Sequence, residues 1–185
     1  MKKYLILFFI IIFIVPPFTE ARIYLDINAP TFVQIPIIVA KWKSVDKTPS
    51  SFSEKVYEIL ANDLTLSGFF KVMNYKNLPP SLREKEEIPS TSSLQEWVSL
   101  GGEILLAGET LLEPDGLNFK LKFHLFDLVE QSHIVGKQYE GPVQTLSSAV
   151  HRMADEVVLQ ITGEKGVHNT KIAYTVLQGA SKEIY

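Results

Sequence analysis

The residues able to do chemistry in this chain are few and scattered. His151 and Asp155 stand four apart in an apolar-periodic stretch, a spacing that puts two side chains on one helix face, and they could share a metal ion. Two ligands are too few for a metal centre, and His124, His133 and His168 fall on other elements. The expected reading is a solvated helix face carrying an Arg152–Glu156 pair. Glu84, Glu86 and Glu87 belong to a run of charged residues and read as a surface loop before they read as an acidic binding patch. Gly101-Gly102 follows a helical pattern instead of a strand and lacks the spacing of a phosphate-cradling loop. Cysteine is absent, which removes thiol chemistry, a disulfide framework and lipid attachment at a cysteine. No nucleophile elbow or catalytic carboxylate pair can be named. The chain therefore reads as non-catalytic, with no metal, no cofactor and no small-molecule substrate.

The elements that would position these residues follow from periodicity. Ile35 to Ala40 (IPIIVA) is a continuous apolar run, as expected of a central strand, with Pro36 placed where no ladder donor is needed. Ser51-Phe52-Ser53-Glu54 reads as a capping box. Beyond it Phe52, Val56, Ile59, Leu60 and Leu64 mark one face of a helix that Gly68 closes, and Phe69 to Asn74 forms a strand. Residues 75–92, with Pro79-Pro80, Pro89 and a serine/threonine cluster, read as the least ordered interior stretch. Leu94, Trp97, Val98 and Leu100 make a short helix stopped at Gly101-Gly102.

Pro114-Asp115-Gly116 between two alternating runs is a hairpin signal. In its second arm Leu117, Phe119, Leu121, Phe123 and Leu125 alternate with Asn118, Lys120, Lys122 and His124, so one face is buried and the other wet. Ser132 to Tyr139 is a further strand. Gly141-Pro142 opens a long helix with Leu146, Val150, Met153, Ala154, Val157 and Ile161 inward, ended at Gly163, and Lys171 to Leu177 is a last apolar strand. The order predicts an α/β (α+β) fold, a mixed five-stranded sheet with helices packed on it. Its core includes Leu60, Leu64, Phe123, Val150 and Val157.

The N-terminus decides the compartment. Lys2 and Lys3 precede an unbroken apolar run of twelve, Tyr4 to Val15. Pro16-Pro17 ends it, and Thr19 and Ala21 are small at the two positions a signal peptidase inspects. Twelve helical residues span about 18 Å, short of a roughly 30 Å hydrocarbon core, so residues 1–21 read as a cleaved secretory signal and not as an anchor. Without Lys2, Lys3 and Glu20, the remaining 164 residues carry 16 Lys+Arg against 20 Asp+Glu, a net charge of −4. That balance offers no footing for nucleic acid or an anionic membrane surface. The mature chain then opens with alternation: Ile23, Leu25 and Ile27 on one side, Arg22, Tyr24, Asp26 and Asn28 on the other, then Ala29. Residues 22–34 are read as a short strand or extended arm, and residues 35–169 as the α/β domain.

Taken together, YLDINAP (Tyr24 to Pro30), QIPIIV (Gln34 to Val39), LANDLTLSGFFKV (Leu60 to Val72), W-x-x-L-G-G (Trp97 to Gly102), GKQYEGP (Gly136 to Pro142), HRMADEVVLQITGEKG (His151 to Gly166) and TKIAYT (Thr170 to Thr175) follow the order and spacing of the N-terminal domain of the TolB family, which this chain resembles over nearly all of residues 22–185. The resemblance implies a fold similar to the anticodon-binding domain of some tRNA synthetases, followed by a β-propeller. It implies a soluble, non-enzymatic periplasmic component of the Tol-Pal envelope system, concerned with outer-membrane integrity, cell division and import of colicin-type proteins. In that family the propeller docks the lipoprotein Pal and colicins, and the arm after the signal is a switchable segment recognised by the inner-membrane protein TolA. The arm maps onto Arg22, Ile23, Tyr24, Leu25, Asp26, Ile27, Asn28 and Ala29. Lys182 to Tyr185 resembles the opening of the first propeller strand, so residues 170–185 are expected to begin a propeller that this sequence does not continue. The expected explanations are a fragment, an interrupted gene or a solitary domain. An alternative is an exported regulatory or binding domain acting on a cell-wall synthase, since related folds occur in lipoprotein activators of such enzymes. The missing lipid-acceptor cysteine counts against it.

Cleavage is expected between Ala21 and Arg22. Mass spectrometry of the exported form should find an N-terminus within two residues of Arg22, and a start elsewhere would overturn the leader assignment.

Overall fold

The structure, a computed structural model, describes residues 33–85 and 88–170, together with the backbone of residues 175–178 and 181–184. Ile35–Val39 (β1) is a run so apolar that it must be covered on both faces, and Ile37, Ile38 and Val39 are fully buried. Lys43–Ser44 (β2), Ser50–Leu66 (α1) and Phe70–Asn74 (β3) follow. A single 3₁₀ turn at Tyr75–Asn77 leads to the one-turn helices Pro80–Arg83 (α2) and Gln95–Val98 (α3). The second half is Ile104–Leu112 (β4), Asn118–Asp127 (β5), Ser132–Pro142 (β6) and the helix Leu146–Thr162 (α4).

The sheet runs β3-β1-β4-β5-β6, with β2 added beside β4. β1 is parallel to both β3 and β4, while β4, β5 and β6 are antiparallel neighbours. This is the mixed five-stranded sheet expected from the element order, with a two-residue sixth strand. Parallel pairing needs a crossover, and α1 supplies it between β1 and β3. α1 and α4 lie side by side, joined where His151 Nδ1 of α4 meets the buried carboxylate of Asp63 in α1 at 2.6 Å. Leu60, Leu64, Phe123, Val150 and Val157 are all fully buried in one continuous core, as their periods predict. Thr175–Gln178 (β7) and Ser181–Ile184 (β8) pair antiparallel in a separate two-stranded sheet.

β1 and β2 occupy successive stretches of the same edge of β4: Ile37–Val39 pair with Ile104–Leu106, and Lys43–Ser44 with Glu109–Thr110. Between them the chain leaves the ladder, and Trp42 lies over Gly108. A Cβ at Gly108 would stand 2.6 Å from the indole ring and 2.7 Å from the Lys122 carbonyl oxygen, so only glycine admits this close approach.

Several expectations are corrected in detail. The capping box does not form: Pro49 is the N-cap of α1 and makes no side-chain cap hydrogen bond. Ser53 belongs instead to the buried stripe with Val56, Tyr57 and Leu60, so its hydroxyl points inward. Residues 75–92 hold more structure than their prolines suggest, because Tyr75, Leu78 and Leu82 are buried and Pro80 sits at the start of α2, where its missing N–H costs nothing. Leu117 is 60% exposed because it still belongs to the turn, where its N–H donates to Asp115 Oδ1 at 2.8 Å. The inward alternation begins at Phe119.

Truncating Leu60, Leu64, Phe123, Val150 or Val157 to Ala should cost roughly 2–4 kcal/mol each, and Gly108→Ala about 1–3 kcal/mol by overpacking against Trp42. Chemical denaturation checks both, and unchanged midpoints would mean that these positions do not carry the core.

Candidate functional site

The signal residues up to Ala21 and the arm Arg22 to Ala29 lie outside the described residues. Among the described ones, a polar cleft of about 360 Å³ is lined by Lys41, Trp42, Ser44, Ser50, Ser51, Ser53, Glu54 and Tyr75. Its position follows from the topology. β1 and β3 run parallel and end at Val39 and Asn74, and α1 begins at Ser50, so the cleft opens at the carboxyl ends of two parallel strands beside a helix N-terminus. Ligands of open α/β sheets favour such crevices.

The floor of the cleft is a chain of hydroxyls. Ser44 Oγ lies 2.6 Å from Ser53 Oγ, Ser53 meets the fully buried Thr110, and Thr110 Oγ1 donates to the Lys43 carbonyl at 3.2 Å. Trp42 is buried, and its indole N–H has no hydrogen-bond partner among the described residues. At the rim, Tyr75 Oη donates to Glu54 Oε2 at 2.7 Å, Lys76 pairs with Glu54, and Lys41 Nζ lies 3.2 Å from Glu84 Oε2.

Partial burial works to raise the Glu54 pKa. Hydrogen bonds from Lys76 and Tyr75 and the charges of Lys76 and Lys41 outweigh it, and Glu54 is held below the ordinary carboxylate value of 4.5. Burial, then the hydrogen bond to Glu54, pushes the Tyr75 phenol up to about 12. Glu54 is thus an acceptor fixed in its ionised form and Tyr75 a permanent donor. The cleft can bind polar groups, but neither residue is poised to move a proton near neutral pH.

The histidines are all engaged, and none with a hydroxyl. His151 bonds Asp63. Asp155 Oδ1 accepts from the His168 backbone N–H at 2.8 Å and lies 2.8 Å from His168 Nδ1, while its Oδ2 accepts from Asn169 N at 3.2 Å. His151 and Asp155 therefore serve different partners and are not brought together as a ligand pair. Nor does the expected Arg152–Glu156 pair form: Glu156 pairs with Lys137 at 2.6 Å, and the Arg152 guanidinium lies 5.9 Å from the centre of the Tyr139 ring. His124 and His133, expected on separate elements, meet across β5 and β6 at 3.0 Å. Among the described residues no three or more His, Cys, Asp or Glu converge on one metal position. Sequence reasoning missed the cleft because Lys41, Glu54 and Tyr75 come from three elements. The one local signal was Glu54 at the head of an amphipathic helix, and that signal suggested a cap.

A sheet with a parallel half at β3-β1-β4 and an antiparallel half at β4-β5-β6, with two long helices packed on it, defines a mixed α/β domain. Residues 23–134 match the TolB amino-terminal domain, more than half of the chain, and the chain belongs to that family. The Tol-Pal system protein TolB of Syntrophus aciditrophicus is 30% identical over 166 residues, covering 89% of this chain and 36% of that protein. That of Hahella chejuensis is 27% identical over 186 residues, covering 100% of this chain and 41% of that protein. The chain thus spans well under half the length of these curated relatives. The fold is also similar to the crystal structure of TolB from Acinetobacter baumannii, with a TM-score of 0.60 at 21% identity, over 77% of this chain and 32% of that one.

Replacing Glu54 by Gln should lower stability by about 1 kcal/mol at neutral pH, a charge-assisted hydrogen bond discounted for partial exposure. Because the folded-state pKa is depressed, the carboxylate's contribution is present above the ordinary value of 4.5 and is lost as pH falls through the lower folded value. Urea titrations of both proteins should therefore converge in strongly acidic buffer, and a gap that widened on acidification would refute the assignment.

Proposed function

We propose that this chain is a periplasmic, non-enzymatic component of the Tol-Pal envelope system, exported by residues 1–21, which engages a TolA-like inner-membrane protein through the arm Arg22 to Ala29. Family membership over residues 23–134 carries the reading, supported by relatives named Tol-Pal system protein TolB. The leader pattern supports export, and among the described residues no helix is long and apolar enough to cross a membrane.

The arm suits its role physically. Ile23, Leu25 and Ile27 on one side and polar residues on the other let it add as a strand to a partner's sheet edge or fold back on its own domain. β1 already has a neighbour on each side, so no position beside β1 is open to a further strand. Docking of a Pal-like lipoprotein belongs to the propeller in the family and is not proposed for residues 22–169. No nucleic acid, cofactor or small-molecule substrate enters the reading.

The test is affinity capture from envelope extract with the mature chain and with a chain lacking Arg22 to Ala29. The intact arm should recover a TolA-like protein and the deletion should lose it. Recovery of no Tol component by the intact chain would overturn the proposal, while capture that survives the deletion would move the contact onto the folded domain.

A further inference from the structure

The wet face of the β5–β6 hairpin carries an arrangement that packing does not require. His124 Nδ1 and His133 Nε2 face each other at 3.0 Å, from strands whose register places His124 opposite Gly136 and Phe126 opposite His133. Phe126 holds both rings: it stacks on His124 with centroids 6.2 Å apart and meets His133 edge-on at 5.1 Å. Gly136 leaves the open side of His124 clear, since a Cβ there would stand 2.9 Å from Nδ1. Burial, then the nearby His133 and Lys122, lower the His124 pKa, with Glu109 opposing. His133 is exposed.

From this geometry we infer that His124 and His133 form an open, exchangeable binding site for a late first-row divalent transition metal, with Cu(II) held most tightly. Two donors about 2.0–2.1 Å from one ion stand about 3 Å apart when the angle between them is near a right angle. The two ring nitrogens already have that separation. A near-right angle is the cis arrangement of tetragonal Cu(II) or Ni(II), and Cu(II) leads the affinity order for nitrogen sites. Binding replaces the proton shared between the rings. The imidazole that donated it takes the other neutral tautomer, so both facing nitrogens present lone pairs and a neutral pair releases no net proton. Two protein donors fall short of a closed centre, and water completes the coordination on this exposed face. The site draws on no residue of the cleft or of the arm.

The experiment is titration of the metal-free mature chain with Cu(II), followed by calorimetry and by electron paramagnetic resonance. One equivalent should bind with a spectrum of two in-plane imidazole nitrogens. His133→Gln, at an exposed position, should weaken binding roughly tenfold or more and reduce the spectrum to one imidazole. Gly136→Ala keeps both imidazoles but crowds Nδ1 of His124, and should weaken binding similarly with circular dichroism unchanged. An affinity and spectrum that His133→Gln leaves as they were, or a first equivalent whose spectrum shows a single imidazole, would overturn the site.

Discussion

The fold depends on the complete burial of the second half of β1. Ile37, Ile38 and Val39 have no exposed surface, so every backbone N–H and C=O in the strand needs a partner within the protein. Neighbours on both edges meet that need, β3 on one and β4 on the other, both parallel. The ladder extends past the strand ends, where Glu103 N–H donates to the Pro36 carbonyl and Ala40 N–H to the Leu106 carbonyl, each at 2.9 Å. Two parallel neighbours demand two crossovers. α1 provides one, and the irregular stretch from Tyr75 to Gly102 provides the other, its buried Leu94 and Trp97 anchoring it to the core. The cleft is a by-product of the same constraint, because it opens where the parallel strands end and the chain turns away toward α1.

The polar residues that could have done chemistry are largely spent on holding elements together. Asp63 and His151 tie α1 to α4. Asp155 fastens the chain after α4 by accepting from residues 168 and 169. Glu54 ties α1 to the turn after β3. A buried carboxylate left without its partner costs more than the hydrogen bond itself contributes, so these pairs oppose local rearrangement as much as they add stability. Such a domain is suited to present a segment or a surface. The ion pairs on the β4–β5 face, Glu109–Lys122 and Glu113–Lys120 at 3.8 Å each, are partly exposed and add little.

How much of this was legible in the sequence depends on the range of the interaction. The strands, the two long helices and the core positions were readable because periodicity is local: the alternation from Phe119 to Leu125 and the spacing of Val150, Met153 and Val157 each name a buried face without reference to the rest of the chain. The hairpin register followed from Pro114-Asp115-Gly116 for the same reason. What failed was long-range. Glu54 has the right spacing for a cap, but Tyr75 and Lys76 compete for it from across the fold. Nothing local marks Ser53 as buried; only Thr110, far along the chain, meets its hydroxyl. His124 and His133 reveal their contact only once β5 and β6 are set in register, and the bulge at Leu125/Phe126 shifts that register. The prolines of residues 75–92 masked the helical spacing of Tyr75, Leu78 and Leu82.

The central claim is that the scaffold built on β1 is held by hydrogen-bond and packing partners drawn from residues 33–170. Native-state amide hydrogen exchange tests this directly when applied to the mature chain and to one beginning at Val33. The amides of Ile38, Leu105 and Leu106 should be among the slowest to exchange in both chains, with equal protection, because their partners all lie within residues 33–170. Protection of β1 and β4 that collapsed in the shorter chain would contradict the claim and make the arm a structural strand.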